Sequence, residues 1–254
     1  MEVHHHPHVG KKSIKEYLLE GLMIFLAVSM GFLAENIREI IQKHEREREL
    51  IVLLRDDLKS DTTKINDAIA FNSRKMYSID TLRKYIYRIS SEKLPDTVKR
   101  KMFYLYKAYT GNVGFFIPTI RAITLLDKGD AFTLIKKQVV SDSILAYKEM
   151  NDRSTNQYET FRQYQVSAKE VGQQIFDPVD GEDFLSRERF PLILSTDLSI
   201  NFLQTDKKIT YIYGAYLMDC RGILFNYIRM LKQHKERAGR LIEMLDIEYN
   251  LEKE

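Results

Sequence analysis

The sequence predicts an all-α protein in which a single N-terminal transmembrane helix continues into an elongated antiparallel helical bundle with long, coiled-coil-like helices. Three observations lead to this prediction. One apolar run lies near the N-terminus of an otherwise polar chain, only 11 Gly and 5 Pro interrupt 254 residues, and apolar residues recur at helical spacing over long segments. The predicted segments are a His-rich tail (1–16), a transmembrane helix (17–37), a charged helical stalk (38–50) and a helical extramembrane domain (51–254).

The N-terminal tail contains four of the six histidines, His4, His5, His6 and His8. Imidazole binds Zn, Cu or Ni, so these residues are the weak candidates for a metal site. A terminal tail without carboxylate or thiol partners is a poor fixed site, however. We therefore predict no metal and no other cofactor. A disordered or tag-like tail is the alternative, and native sequence is favoured because the run is only three histidines long and is interrupted by Pro7.

Residues 17–37 form an apolar run that, as a helix at ~1.5 Å per residue, matches the ~30 Å hydrocarbon core of a bilayer. Glu20 and Glu35 lie about one turn inside its ends, where a carboxylate reaches the headgroups or is neutralised. The uncharged part, 21–34, would also fit a cleaved signal peptide or a buried soluble helix. The residues at the end of the run, 32–36, form a poor signal-peptidase site, which argues against cleavage. Residues 22–33 are apolar on nearly all sides, which argues against a buried soluble helix. An uncleaved membrane anchor is therefore favoured.

The predicted membrane helix carries Ala27, Gly31 and Ala34 on nearly the same face. This pattern of small residues lets two helices approach closely in lipid and predicts self-association through that face. Glu20 and Glu35 could instead carry protons or ions, as intramembrane acids often do, but their positions near the ends argue against that role.

Lysines and arginines flank the predicted membrane helix on both sides, so their number does not decide its orientation. The N-terminal tail is short and is the easier segment to leave in the cytoplasm. In the segment after the helix, the positive charge of the lysines and arginines is offset by four acids, Glu39, Glu45, Glu47 and Glu49. We predict a single-pass protein of the bacterial inner membrane, with its N-terminus in the cytoplasm and its main domain in the periplasm.

Acids and bases are interleaved along the chain, and the formal net charge is +3. A nucleic-acid-binding protein carries a concentrated basic face, which this pattern does not provide, so no nucleic-acid partner is expected. Cys220 is the only cysteine, which excludes an intrachain disulfide and a Cys-rich zinc site. The sequence has no nucleophile-elbow, phosphate-loop or zinc-protease motif, and we predict that the chain is not an enzyme.

Oppositely charged residues at helical spacing, such as Lys43 and Glu47, predict that the stalk is a solvated helix. Beyond it, an apolar stripe follows one helical face and consists of Ile51, Leu54, Leu58, Ile65 and Ile69. The stripe predicts that the stalk helix runs into a packed bundle. Asn72 and Ser73 mark a candidate break between two helices.

The most regular segment is the last one, where residues are separated alternately by four and three positions over more than four heptads. This heptad seam consists of Tyr213, Leu217, Cys220, Leu224, Tyr227, Leu231, His234, Ala238, Leu241 and Leu245. It predicts a helix of roughly 40 residues, ~60 Å long, that packs along one face. We interpret Cys220 as packed core and His234 as a polar seam residue.

The first 40 residues carry a specific set of short strings: MEVHHH at 1–6, KK at 11–12, EYL at 16–18, LMIFLAV at 22–28 and GFLAEN at 31–36. This part of the chain resembles a family of uncharacterised Bacteroidota single-span membrane proteins. Residues 118–147 are similar, more loosely, to the central block of related proteins. The resemblance implies native histidines, an N-terminal anchor and a helical soluble domain, and it implies no activity.

These observations favour a bitopic membrane protein of the cell envelope that acts as a scaffold or accessory subunit through helical contacts. Its expected partners are the lipid bilayer and either a second copy of the chain or other envelope proteins. The second hypothesis is a ligand-sensing bundle in which the loop 110–118 lines a pocket and a ligand shifts the stalk. The third is an enzyme whose site lacks a sequence motif.

Overall fold

A computed structural model describes residues 13–110, 114–177 and 200–251 of the chain. Within these ranges the protein is all-α, as predicted, and no β-strand forms. The elements are α1 (Ile14–Ile86), α2 (Asp96–Thr110), α3 (Arg121–Leu126), a 3-10 turn (Ala131–Leu134), α4 (Gln138–Ile175) and α5 (Lys207–Tyr249). Phe176 and Phe202 form an isolated antiparallel bridge.

The described residues fall into two compact units that divide between Leu50 and Ile51. The first unit is the N-terminal part of α1. Its most apolar 18-residue window has a mean hydropathy of 1.9, and none of that window is buried. By length and composition this helix can span a membrane, and it is the one such helix in the described part of the chain.

The second unit begins with the rest of α1, whose apolar stripe is buried at Ile51, Leu54, Leu58 and Ile65. The expected break at Asn72 and Ser73 is wrong, because α1 continues to Ile86. Asn72 Nδ2 donates to the Ala68 carbonyl at 2.8 Å and to the Gly114 carbonyl at 2.6 Å. A polar side chain that is bonded in this way does not compete with the helical backbone, so the helix runs through it.

Helix α5 is 43 residues long and has a defined start and end. The Asp206 carboxylate accepts hydrogen bonds from the backbone N–H groups of Lys208 and Ile209 at 3.0 and 3.1 Å, as an N-cap does. Asn250 ends the helix in the left-handed conformation, with φ 52°.

Pairs of contacts show that α5 runs antiparallel to its neighbours in the second unit. Arg55 and Asp246 form an ion pair at 2.5 Å, and Arg221 binds Asp80 at 2.7 Å, so α5 descends as α1 ascends. Ser154 contacts His234, and Ser143 contacts Met244, which gives the same relation between α4 and α5. The unit is therefore an antiparallel helical bundle, and α1, α2, α4 and α5 all contribute to its apolar core.

Candidate functional site

All ten residues of the heptad seam are buried in the second unit. Six of these side chains are apolar and fill the core against α1, α2 and α4, whereas Tyr213, Cys220, Tyr227 and His234 each bring a polar atom into it. Among the described residues, the Tyr213 hydroxyl has no hydrogen-bond partner. A buried polar atom is costly unless it is hydrogen-bonded, so these positions are where chemistry could be found in the interior.

Cys220 lies in a small cluster with Tyr109 and Lys75. The Tyr109 hydroxyl donates to Cys220 Sγ at 2.7 Å, and the Lys75 ammonium lies 5.5 Å from the centre of the Tyr109 ring. Burial raises the pKa of the Cys220 thiol to about 11 and lowers the pKa of Lys75 to about 8. At neutral pH the sulfur is a protonated thiol and is a poor nucleophile.

His234 lies on α5 and is fully buried at the contact with α4. Its Nδ1 lies 3.1 Å from Ser154 Oγ, and its ring contacts the rings of Phe116 and Tyr147. Nε2 has no hydrogen-bond partner among the described residues. Burial, helped by the nearby Arg237 charge, lowers the pKa of His234 to about 4, so the imidazole is neutral at physiological pH.

Two buried acids on α1, Asp57 and Asp61, bind the first residues of α3 and the segment just before it. Asp57 accepts hydrogen bonds from the Arg121 guanidinium at 2.6 and 2.9 Å and from the Ala122 N–H at 2.9 Å. Asp61 Oδ1 accepts from the N–H and the hydroxyl of Thr119, at 2.8 and 2.6 Å. Both carboxylates are thus engaged in holding this segment against α1.

Asp61 also reaches the neighbourhood of His234. The Tyr147 hydroxyl donates to Asp61 Oδ2 at 2.6 Å, and the Tyr147 and His234 ring centres are 4.9 Å apart. Burial and the adjacent carboxylate raise the pKa of Tyr147 well above its usual range. Asp61 therefore binds a tyrosine hydroxyl and does not orient the imidazole as an acid does in a catalytic triad.

The contact between Ser154 and His234 has the spacing of a nucleophile and its base. Ser154 is only 1 % exposed, and His234 is closed in by aromatic rings on α4 and in the segment before α3. A substrate would have to displace core side chains to reach the hydroxyl. The arrangement fits a hydrogen bond that satisfies two buried polar groups.

The ligand-sensing hypothesis requires the loop 110–118 to line a pocket. Residues 114–118 of this loop are described. A Cβ added to Gly114 would lie 2.5 Å from Phe71 Cδ1, so the backbone touches that ring. Phe116 is buried, and its N–H donates to the Tyr227 hydroxyl at 3.2 Å. Phe116 therefore belongs to the bundle core, whereas Ile117 beside it is 62 % exposed.

A second apolar face lies on the opposite side of α5. The outer stripe consists of Tyr211, Ala215, Met218, Gly222 and Phe225. Its residues are separated by four, three, four and three positions, and at ~100° per residue the stripe lies about 160° round the helix axis from the heptad seam. All five are exposed, and Tyr211, Met218 and Phe225 retain 52, 59 and 51 % of their surface.

The outer face of α5 changes character along its length. Beyond Phe225 the next exposed positions of the same face are Arg229, Lys232, Gln233 and Glu236, and the face carries an exposed apolar residue again at Ile247, which is 67 % exposed. The continuous apolar stripe is therefore confined to the first half of the helix. Sequence reasoning missed the outer stripe because the heptad seam has the same periodicity, although a second set of apolar residues in the opposite phase was visible.

The other predicted site residues lie in the first unit or in the tail. Ala27, Gly31 and Ala34 are exposed, and an added Cβ at Gly31 would meet no atom within 4 Å. Glu35 accepts a hydrogen bond from Arg38 at 2.9 Å. His4, His5, His6 and His8 lie outside the described residues. Among residues 13–110, 114–177 and 200–251, no three His, Cys, Asp or Glu side chains converge as a metal site requires.

Comparison with models of known protein families, with curated proteins and with solved structures finds no match to this chain.

Proposed function

We propose that this protein is a bitopic membrane protein whose helical domain acts as a scaffold or accessory subunit in the bacterial cell envelope. The observation that carries the proposal is the outer stripe. Five exposed apolar residues form a continuous line on a helix that is already held in its bundle by the opposite face. An apolar line of this kind, rimmed by polar residues, is typical of a surface that binds another helix.

The interior of the bundle supports a binding role over a catalytic one. Its reactive groups are a protonated thiol, a neutral imidazole and carboxylates that hold backbone N–H groups. Cys220, His234 and Asp61 are all fully buried. Contact with a partner is instead available at the surface of α5.

The exposed apolar part of α1 supports membrane attachment, and the resemblance of the first 40 residues to single-span Bacteroidota proteins agrees with it. We place the anchor in the inner membrane, with the N-terminus in the cytoplasm and the bundle in the periplasm. Ala27, Gly31 and Ala34 would then be available for contact between anchors within the bilayer.

The binding role is tested with the full-length chain in its native membrane. Proteins crosslinked to the native chain are compared with those crosslinked to Met218→Lys, which places a charge in the middle of the outer stripe. Gln233→Lys is the matched control, because it adds the same charge to the same face beyond the stripe. We expect partners that survive Gln233→Lys and are lost with Met218→Lys. A chain that crosslinks to nothing, or whose partners ignore both substitutions, would contradict the proposal.

The membrane orientation is tested with reporters fused to the C-terminus. A phosphatase that is active only in the periplasm is expected to be active, and a reporter that works only in the cytoplasm is expected to be silent. The reverse pattern would place the bundle in the cytoplasm and overturn this part of the proposal.

A further inference from the structure

We propose that the partner of the outer stripe is the same stripe of a second copy of this chain, with the two α5 helices antiparallel. This inference rests on the proposed function, since it names the partner of that binding surface. It follows from the sizes of the stripe residues, from the charges that bound the stripe and from its area.

Large and small residues alternate strictly along the outer stripe. In heptad terms Tyr211, Met218 and Phe225 occupy one position of the repeat, and Ala215 and Gly222 occupy the other. The small positions are open: an added Cβ at Gly222 would meet no atom within 4 Å. The stripe therefore presents large side chains with gaps between them, and its first ring, Tyr211, also packs on the Tyr87 ring with the ring centres 5.1 Å apart.

Alternation of this kind discriminates between the two ways of pairing a helix with its own copy. In a parallel pair each heptad position meets itself, so Gly222 would face Gly222 and Phe225 would face Phe225, and no single helix spacing suits both layers. In an antiparallel pair the two positions meet each other. In either register two of the three large side chains then enter the gap left by a small residue, which is the close packing that apolar interfaces require.

The charges at the two ends of the stripe favour the same direction. Lys208 and Arg229 continue the small-residue position of the repeat at either end, and both are exposed. A parallel pair would place each cation against its own copy. An antiparallel pair places Arg229 against the partner's Tyr211 in one register, or Lys208 against the partner's Phe225 in the other, and a cation over an aromatic ring is favourable.

The area of the outer stripe sets the strength of the pair. Three large side chains, each about half exposed, and two small residues offer roughly 400 Å² per copy, or ~800 Å² for the pair, which is below the ~1,200 Å² of a stable interface. The pair is therefore expected to be weak in dilute solution.

The direction of pairing is tested by crosslinking full-length chains in mild detergent, where the anchors are free of a common bilayer. Differently tagged single-cysteine variants are mixed and treated with a short thiol crosslinker, and the native chain is the blank because Cys220 is buried. We expect links between Ala215→Cys and Phe225→Cys, or between Tyr211→Cys and Gly222→Cys, according to the register. Links of Tyr211→Cys or Phe225→Cys to its own copy would show a parallel pair and overturn the proposal.

The alternation of sizes is tested by enlarging a small residue that is not itself a crosslinking position. If Ala215→Cys links to Phe225→Cys, the residue enlarged is Gly222. If Tyr211→Cys links to Gly222→Cys, it is Ala215, where Leu is again the large residue and the native Ala is the small one, with the same expectations. Gly222→Leu fills a gap and is expected to reduce linking about tenfold, whereas Gly222→Ala keeps a small residue and is expected to retain it. Equal linking by both variants would overturn the proposal, as would a chain that stays monomeric at every concentration. Loss of self-linking with retention of an envelope partner that Met218→Lys removes would leave the proposed function intact and refute this inference alone.

Discussion

The two faces of α5 have the same periodicity and opposite surroundings. The heptad seam is buried against α1, α2 and α4, and it holds the bundle together. The outer stripe has nearly the same spacing and similar residue types, yet its large side chains remain about half exposed. The comparison teaches that apolar periodicity reports a capacity to pack, and that the neighbours of a helix decide whether this capacity is used within the chain or left for a partner.

The largest expected difference between the faces is the cost of truncating a side chain. Leu224→Ala removes buried methyl groups from the core and is expected to lower the free energy of unfolding by about 2–5 kcal/mol. Met218→Ala on the outer stripe is expected to change it by less than about 0.5 kcal/mol. Urea denaturation of the full chain in detergent, followed by circular dichroism, measures both. Equal losses would mean that the outer stripe is part of the monomer's core.

The second prediction concerns pH and the heptad seam. The pKa of His234 is lowered to about 4 in the folded protein, below the 6.5 of an unperturbed histidine, so the unfolded chain binds the proton more tightly. The stability that depends on neutral His234 is complete above pH 6.5 and is lost as pH falls towards 4, by about 3 kcal/mol in all.

Comparison with His234→Gln isolates this contribution from that of the acids, which titrate in both proteins. The groups around the ring are Ser154, Tyr147, Phe116 and Arg237, and none of them is changed. We expect the native chain to lose more stability than the variant between pH 6.5 and pH 4.5. Parallel pH profiles would contradict the assignment.

Two glycines of α5 provide a matched pair for the third prediction. A Cβ at Gly214 would overlap the Tyr87 hydroxyl and lie 2.5 Å from Tyr87 Cε1, whereas a Cβ at Gly222 would meet no atom within 4 Å. Gly214→Ala is expected to destabilise the bundle by about 1–3 kcal/mol through overpacking. Gly222→Ala is expected to stabilise it by about 0.5–1 kcal/mol through helix propensity. Thermal melting gives both signs, and the same sign for both would contradict the contrast between a covered and an open glycine of α5.

The smallest expected effect is that of one hydrogen bond to the heptad seam. Tyr109→Phe removes the hydroxyl that donates to Cys220 Sγ and is expected to cost about 0.5–1.5 kcal/mol. Urea denaturation of this variant beside Tyr211→Phe, which changes an exposed hydroxyl, provides the control. An identical effect of the two substitutions would show that the buried bond contributes nothing.

The parts of the fold that were predictable are those with a strong local pattern. The long apolar run of α1 and the alternating spacing in α5 are properties of single helices, and both helices are present. The break expected at Asn72 was wrong because the partner of its side chain, the Gly114 carbonyl, lies 42 residues away. The hydrogen bonds of Asp57 and Asp61 likewise join residues 58 to 86 positions apart, and the spacing of residues along the sequence cannot predict such contacts.

The sequence by itself determined that the chain forms long helices and that one of them is apolar enough for a membrane, because helix formation and hydropathy depend on residues close together in the chain. Only the tertiary structure decided which face of α5 is core and which is surface, since burial depends on the helices that pack against it. It also decided that Cys220, His234 and the two buried acids form hydrogen bonds inside the bundle, because their partners come from distant segments brought together by folding.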